Sequence, residues 1–113
     1  MDFESLRKAF LEIAEKAKEK IGDEMKTWSR VFQFVLDDGT EFYVEIRGGE
    51  VSVQQGRHPS PVATLATDST TLEKILQGEL DAIAAFIRGK MRITGNVLET
   101  IKLRKMLEAA TKG

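Results

Sequence analysis

The sequence predicts an α+β protein with the element order αββββααβα. Apolar residues recur at helical spacing over residues 2–21, and the period changes to two between Trp28 and Val53. Short helical patterns then flank a strand-like segment at residues 90–94. A chain of 113 residues has the usual length of one domain with one core. We therefore expect a single domain that spans residues 1–113.

The first helix is predicted to be amphipathic. Its apolar face is formed by Phe3, Leu6, Phe10, Ile13, Ala14, Ala17 and Ile21. Gly22 follows this stripe, and glycine readily adopts the left-handed conformation that often ends a helix. We expect the helix to stop there and a loop to cover residues 23–27.

Three strands follow as a meander with one apolar face. A three-residue loop ending at Gly39 places Phe34 opposite Phe42 and Phe32 opposite Val44, whereas a two-residue loop breaks this pattern. The sequence therefore favours the three-residue loop.

The glycine pair at residues 48–49 is typical of a tight two-residue turn. Its register pairs Ile46 with Val51 and Val44 with Val53, so the apolar face continues into the third strand. A polar loop with both prolines comes next, and residues 62–66 are expected to form a fourth strand.

A second helix is expected to begin near residue 70 and to stop at Gly78. Thr70 has capping-box spacing to Glu73, and Asp68 and Ser69 are alternative caps. A third, shorter helix is expected to stop at Gly89, before the strand at residues 90–94.

The last helix, about residues 96–110, has two apolar sides. Roughly 140° separates them at about 100° per residue. One side carries Val97, Leu98 and Ile101, and the other carries Leu103, Met106, Leu107 and Ala110. Either the helix is buried more deeply than average, or its second half covers a ligand or a partner subunit.

Composition argues against several classes of function. The 17 basic and 18 acidic residues give a formal net charge of −1. The protein therefore has no overall positive electrostatic field that would attract nucleic acid. Basic residues do concentrate over residues 88–105, but acidic residues interleave with them, so we expect at most transient contact with a membrane surface. Neither a signal-peptide core nor a bilayer-spanning run is present in the sequence, and a cytoplasmic protein is expected.

The sequence also offers little for catalysis. There is no cysteine, and His58 is the one histidine, in the proline-flanked loop. Zinc sites and Ser-His-acid triads are therefore not expected, and we expect no metal and no cofactor. Asp37 and Asp38 precede Gly39 at a hairpin tip, where such residues are typical of a turn.

The most specific pattern lies between residues 64 and 96. It reads Thr-Leu-Ala-Thr at 64–67, Leu-Glu-Lys-Ile-Leu-Gln-Gly-Glu-Leu-Asp at 72–81 and Ala-Ala-Phe-Ile-Arg-Gly-Lys-Met-Arg-Ile-Thr-Gly-Asn at 84–96. In this order, with the upstream hairpin, these segments resemble the type-2 sterol carrier protein family over about residues 28–107. The stretch at residues 86–95 is the most specific part of the resemblance.

The resemblance implies a five-stranded, mostly antiparallel sheet with helices packed over one face, enclosing a hydrophobic tunnel. It also implies a ligand such as a fatty acid, an acyl-CoA, a sterol or a phospholipid, and no catalytic group. The chain ends Ala-Ala-Thr-Lys-Gly rather than in a Ser-Lys-Leu peroxisomal address, which is similar to standalone prokaryotic members. The ligand therefore need not be a sterol.

Candidate ligand-binding residues combine the family-like segment with the facing sheet. They are Phe34, Phe42, Val44, Ile75, Leu76, Phe86, Ile87, Met91, Ile93 and Met106. The two methionines are included because flexible thioethers suit varied apolar ligands, although they also fill gaps in ordinary cores. Gln33 and Gln54 are expected to face solvent, with a place near the tunnel mouth as the alternative.

The predicted function is a non-catalytic carrier for an apolar, lipid-like ligand. Burial of apolar surface would supply the affinity, and no residue would need to react. The alternative is an interaction module that forms a homodimer or assists an enzyme of lipid or isoprenoid-quinone metabolism.

Overall fold

The computed structural model describes residues 1–111, and Lys112 and Gly113 of the expected domain lie outside the described residues. The elements, in chain order, are α1 (Phe3–Met25), β1 (Ser29–Leu36), β2 (Glu41–Arg47), β3 (Glu50–Gln55), β4 (Ala63–Thr67), α2 (Ser69–Leu76), α3 (Ala82–Ile87), β5 (Met91–Gly95), a 3-10 helix (Val97–Thr100) and α4 (Ile101–Thr111). This order confirms the predicted α+β class.

The five strands form one sheet in the order β3-β2-β1-β4-β5. Three neighbouring pairs are antiparallel, and β1 and β4 are parallel. The parallel pair arises because the chain leaves β3 at one edge and crosses the sheet to the far side of β1 before β4 begins. The expectation of a five-stranded, mostly antiparallel sheet is confirmed.

The predicted registers of the meander are also confirmed. Phe34 lies opposite Phe42, and Phe32 lies opposite Val44. The turn at residues 48–49 pairs Val44 with Val53, as well as Ile46 with Val51. The apolar face therefore continues across β1, β2 and β3.

The prediction that α1 stops at Gly22 is wrong, because the helix continues to Met25. The backbone departs from helical geometry at Ile21, with φ −127° and ψ 26°, and then resumes. This last turn buries the side chain of Met25 completely. Burial of a large apolar side chain therefore outweighs the glycine signal at this position.

The helices pack over one face of the sheet. Phe10 of α1 lies over the aromatic pair of the first hairpin, with ring centroids 5.4 Å from Phe34 and 5.8 Å from Phe42. Phe34 and Phe42 stack at 5.0 Å with an interplanar angle of 3°. This aromatic cluster joins α1 to the centre of the sheet.

Asp68 is the cap of α2 among the three alternatives. Its Oδ1 accepts a hydrogen bond from the backbone N–H of Thr71 at 2.7 Å, and its Oδ2 accepts one from the Thr71 hydroxyl at 2.8 Å. The helix ends at Leu76, and Gly78 follows with a φ of +78°. The expected stop at Gly78 therefore matches the structure to within two residues.

The last predicted helix divides into two pieces. The 3-10 helix leaves Val97 and Leu98 exposed, and Ile101 at the start of α4 is also exposed. Leu103 and Met106 are buried instead. The second half of this segment is thus part of the core, and the first half presents apolar side chains to solvent.

The expectation that Gln33 faces solvent is wrong. Its side chain points to the sheet face opposite the helices, yet it is only 2% exposed. Residues 56–62 cross over it and supply hydrogen-bond partners from Gly56 and His58. Gln54, in contrast, is exposed as expected.

Within the described residues, no helix combines the length and the apolar composition needed to cross a bilayer.

Candidate functional site

An apolar cavity of about 330 Å³ lies between the sheet and the helices. Its volume is at the lower end of the range of about 300–1,000 Å³ that is typical of small-molecule sites. The lining residues come from α1, β1, β4, β5, the 3-10 helix and helices α2–α4. They are Phe10, Ile13, Phe34, Leu65, Leu72, Ile75, Leu76, Ala82, Ile83, Phe86, Ile87, Met91, Ile93, Val97, Leu98, Thr100, Ile101, Leu103, Arg104, Met106 and Leu107.

The sheet provides one wall of the cavity. Phe34 comes from β1, Leu65 from β4, and Met91 and Ile93 from the edge strand β5. Because alternate residues of a strand point to the same side, Met91 and Ile93 both face the cavity, and Arg92 between them points away. Register holds this wall together, since Leu65 is paired with Phe34 on one side and with Ile93 on the other.

Helices α2 and α4 form the opposite wall. Leu72, Ile75 and Leu76 lie at helical spacing on α2, and all three are buried. Met106 is 1% exposed and reaches the cavity from α4. The cap at Asp68 therefore fixes the helix that carries a large share of the wall.

Six lining residues are exposed and form what we call the apolar rim. Their exposed fractions range from 40% for Phe86 and Val97 to 77% for Leu98, and the set is Ile83, Phe86, Ile87, Val97, Leu98 and Ile101. Apart from Met1, no other large apolar side chain in residues 1–111 is exposed. The exposed apolar surface is thus concentrated where the cavity meets solvent.

Among residues 1–111, only Thr100 and Arg104 bring polar side chains to the cavity wall, and both have partners within the protein. The Thr100 hydroxyl donates to the carbonyl oxygen of Val97 at 2.6 Å. Arg104 forms ion pairs with Asp81 at 3.2 Å and Glu108 at 3.0 Å. Over residues 1–111, no buried side-chain nitrogen or oxygen lacks a hydrogen-bond partner. The wall therefore favours apolar ligand surface over polar groups.

The 3-10 helix is tied to the sheet by Glu99. Its carboxylate accepts a hydrogen bond from Arg30 of β1 at 3.0 Å and pairs with Lys102. The Arg30 hydrogen bond, followed by that of Lys102, lowers the pKa of Glu99 below its ordinary value. This ion-pair group holds the side of the apolar rim that carries Val97 and Leu98.

Eight of the ten candidate residues line the cavity. They are Phe34, Ile75, Leu76, Phe86, Ile87, Met91, Ile93 and Met106. Phe42 and Val44 do not line it and are fully buried elsewhere in the core. The reason is topological: the cavity lies over β1, β4 and β5, whereas both residues belong to β2, on the other side of β1. Ligand contact by the other eight stays a prediction.

Sequence reasoning missed several wall residues that periodicity had marked as apolar. Phe10 and Ile13 lie on the predicted stripe of α1, and Val97, Leu98 and Ile101 formed the first apolar side of the last helix. That two-sided pattern was the available signal for the apolar rim. No metal-binding cluster of His, Cys, Asp or Glu occurs in the described part of the chain.

Residues 10–108 match the SCP-2 sterol transfer family. The chain belongs to this family. The chain is 28% identical over 102 residues to sterol carrier protein 2 of Gallus gallus, which covers 86% of this chain and 19% of that protein. It is 31% identical over 96 residues to hydroxysteroid dehydrogenase-like protein 2 of Mus musculus, covering 80% of this chain and 19% of that protein. The matched part is thus about a fifth of each of these longer family relatives.

Solved structures with the same fold include members of similar length. A ubiquinone synthesis protein, UbiJ-SCP2, superposes with a TM-score of 0.75 at 14% identity and covers 96% of this chain and 99% of that one. Palmitated SCP2L2 of Aedes aegypti has a TM-score of 0.62 at 22% identity, with coverage of 85% and 91%. These likenesses confirm the sterol-transfer fold.

Proposed function

We propose that this chain is a single-domain, non-catalytic carrier that holds one apolar, lipid-like ligand in the cavity. The ligand classes that fit are a fatty acid, the acyl part of an acyl-CoA, a sterol or an isoprenoid. The observation that carries the proposal is the cavity wall, which consists of apolar side chains apart from Thr100 and Arg104. Such a wall stabilises a hydrocarbon chain and supplies no group that would react with it.

Burial alone accounts for the binding energy. Each methylene moved from water into an apolar site contributes about 0.8 kcal/mol. A chain of about a dozen methylenes therefore gives roughly 10 kcal/mol before the cost of ordering ligand and side chains is subtracted. The flexible thioethers of Met91 and Met106 suit ligands of different shape.

Family membership supports the same ligand class. The matched family is described as a sterol transfer family, and a protein of the same fold from Aedes aegypti has been solved in a palmitated form. Both statements concern relatives, and the cavity of this chain gives the independent physical reason to expect a comparable ligand.

Titration of the delipidated protein with a fluorescent fatty acid tests this function. We expect saturable binding of the fluorescent probe. Palmitate, a sterol or a long-chain isoprenol should displace the probe, and the competitor that fits the cavity best should do so at the lowest concentration. Native mass spectrometry of the protein as purified should show a bound lipid. The carrier function is wrong if no probe binds and no lipid copurifies.

A cavity-filling substitution sharpens this test. Ile93→Trp places a large ring in the cavity from the edge strand, so the affinity for the probe should fall at least tenfold while the protein stays folded. Val35→Trp is the matched control, because Val35 is half-buried and lies on the opposite face of the sheet. Equal loss of affinity in both variants would show that the probe binds outside the cavity.

A second candidate function is an accessory role in isoprenoid-quinone metabolism. Its support is the ubiquinone synthesis protein, whose fold matches this chain along 99% of its own length. The same titration separates the two functions, because an accessory protein of this kind should prefer a prenylated aromatic ring to a saturated acyl chain of equal length.

A further inference from the structure

The cavity wall, as far as residues 1–111 form it, carries its polar side chains at a single place. Thr100 ends the 3-10 helix and Arg104 lies in the first turn of α4, so the two are four residues apart. Ile101 between them has helical backbone angles, with φ −58° and ψ −31°. Residues four apart on a helix are neighbours, with about 5–6 Å between their Cβ atoms. One small polar spot therefore interrupts a wall that is otherwise apolar.

The Thr100 hydroxyl can accept a further hydrogen bond but cannot donate one. It donates its one hydrogen to the carbonyl oxygen of Val97 at 2.6 Å. Within residues 1–111, no donor forms a hydrogen bond to Oγ1 of Thr100. A ligand group that pairs with this oxygen therefore has to be a donor.

Arg104 supplies the complementary donor. Its Nε pairs with Asp81 at 3.2 Å, and its Nη1 pairs with Glu108 at 3.0 Å. Its Nη2 carries two N–H groups and has no partner among the residues that the structure describes. The side chain is 38% exposed, so it lies at the border between the cavity and solvent. A ligand group that pairs with Nη2 has to be an acceptor.

The charges around Arg104 disfavour an anion at this place. Asp81 and Glu108 share Arg104 as their cation, so the two carboxylates and one guanidinium carry one net negative charge at neutral pH. A ligand carboxylate that reached Nη2 would approach both acidic side chains. It would also have no hydrogen to donate to Thr100. Like charges and an unmatched acceptor therefore both select against a carboxylate.

We propose that Thr100 and Arg104 form a subsite for a neutral hydroxyl head group, which makes a long-chain alcohol, an isoprenol or a sterol a better ligand than a fatty-acid anion. A hydroxyl donates its hydrogen to Oγ1 of Thr100 and accepts one from Nη2 of Arg104, so it satisfies both groups at once. The apolar part of the ligand then lies along the apolar wall. This subsite rests on the proposed carrier function and adds head-group selectivity to it.

Three ligands with the same alkyl chain test the subsite: dodecanol, dodecyl methyl ether and laurate. Each is measured by its displacement of one fluorescent fatty acid, so the ratio of two competitors on the same protein does not depend on the probe. Transfer out of water favours the ether over the alcohol, because the ether has no O–H group to desolvate. The subsite predicts the opposite order, with dodecanol binding about fivefold more tightly than the ether, which is the contribution of one hydrogen bond.

Thr100→Val removes the acceptor and keeps a side chain of similar size. The preference for dodecanol over the ether should disappear in this variant and persist in Thr100→Ser, which keeps the hydroxyl. Thr111→Val is the matched control. Thr111 lies outside the cavity, and its hydroxyl also donates to a helical carbonyl oxygen, that of Leu107 at 2.8 Å. This control should keep the preference of the wild type.

The double variant Asp81→Asn with Glu108→Gln tests the charge argument. Asparagine can still cap α3, and Arg104 loses both charged partners. The affinity for laurate should rise about tenfold, whereas the affinity for dodecanol should stay within about twofold. Glu12→Gln with Glu19→Gln is the control with equal charge change, since both residues are exposed on α1, and it should alter the laurate affinity by less than about twofold.

Two results would overturn the subsite. One is a wild-type protein that binds the ether or laurate as tightly as dodecanol. The other is a preference for dodecanol that is the same in Thr100→Val as in the wild type. The proposed carrier function fails separately, because it is refuted only if none of the three ligands binds, whereas binding of all three without preference refutes the subsite alone.

Discussion

The side-chain oxygen of Gln33 accepts a hydrogen bond from the backbone N–H of His58 at 2.8 Å. The amide nitrogen of the same side chain donates to the carbonyl oxygens of Phe42 at 3.0 Å, Gly56 at 2.9 Å and Phe34 at 3.4 Å. One partner is a donor and three are acceptors, so they determine the orientation of the amide. Gln33 thus ties the loop of residues 56–62 to the sheet face opposite the cavity.

Gln33→Leu should destabilise the protein by about 2 kcal/mol, because the substitution leaves the polar groups that Gln33 now satisfies without partners beneath the loop. Urea denaturation measures this difference as a lower midpoint at unchanged slope. Gln54→Leu is the control, since Gln54 is exposed on β3 and its replacement should change stability by less than about 0.5 kcal/mol. Equal effects on stability would mean that the hydrogen bonds of the Gln33 side chain make no net contribution to the free energy of unfolding.

The sequence predicts the meander well because its signals are local. Strict alternation and glycine-containing turns determine which residues face each other, and the observed pairs Phe34–Phe42 and Val44–Val53 follow from them. The burial of Gln33 could not be predicted in the same way. It depends on a loop more than twenty residues later in the chain, and no periodic pattern reports a contact of that kind.

The candidate site could be predicted in part for the same reason. Hydrophobic periodicity identifies buried faces, so it predicted Phe34, Phe42 and Val44 equally as candidate ligand-binding residues. Only the strand order shows that β2 lies outside the cavity, and strand order comes from long-range packing. The family-like segment gave Phe86, Ile87, Met91 and Ile93 more directly, because it covers α3 and β5 on the open side of the sheet.

The two sides of the last helical segment should respond in opposite ways to a charge. Met106→Glu puts a carboxylate at a position that is 1% exposed, which should cost several kcal/mol and leave the chain largely unfolded. Leu98→Glu alters a residue that is 77% exposed, so its effect on stability should stay within about 0.5 kcal/mol. Thermal denaturation followed by circular dichroism compares them, and a folded, cooperative Met106→Glu protein would contradict the buried position of this side chain.

The cap at Asp68 should make stability depend on pH in the acid range. Hydrogen bonds from the backbone N–H and hydroxyl of Thr71 lower the pKa of Asp68 below its ordinary value of 3.8. A carboxylate with a lowered folded pKa stabilises the native state fully above the unfolded value and loses that contribution as the pH falls through the folded pKa. Asp68→Ala should therefore cost about 1 kcal/mol at neutral pH and progressively less below about pH 4.

Asp68→Asn is the matched control for this pH dependence. Asparagine caps helices about as well as aspartate but does not titrate, so the variant should be nearly as stable as the wild type at neutral pH. Urea denaturation at a series of pH values should show the wild type losing stability relative to Asp68→Asn as the solution becomes more acidic. Parallel curves for the two proteins would show that the charge of Asp68 contributes nothing to stability.

Gly95 should tolerate a side chain less well than any glycine whose surroundings are open. It ends β5 with a φ of +92°, and a Cβ at this position would lie 2.7 Å from the carbonyl oxygen of Val62, which already accepts a hydrogen bond from Asn96. Gly89 has a similar φ of +77° with nothing within 4 Å of the added atom.

Gly89→Ala should consequently lower the free energy of unfolding by about 1–2 kcal/mol, because alanine disfavours the left-handed backbone. Gly95→Ala should lower it by about 1–3 kcal/mol more, because its Cβ also meets Val62. Since Gly95 precedes the 3-10 helix, the second variant should also displace Val97 and Leu98 and weaken probe binding in the cavity. Denaturant unfolding and the fatty-acid titration, run on both variants, separate strain from steric clash. The two variants share only the penalty of the left-handed backbone. Equal stabilities of Gly89→Ala and Gly95→Ala would therefore show that the backbone near Val62 moves away from the added Cβ at no cost in free energy.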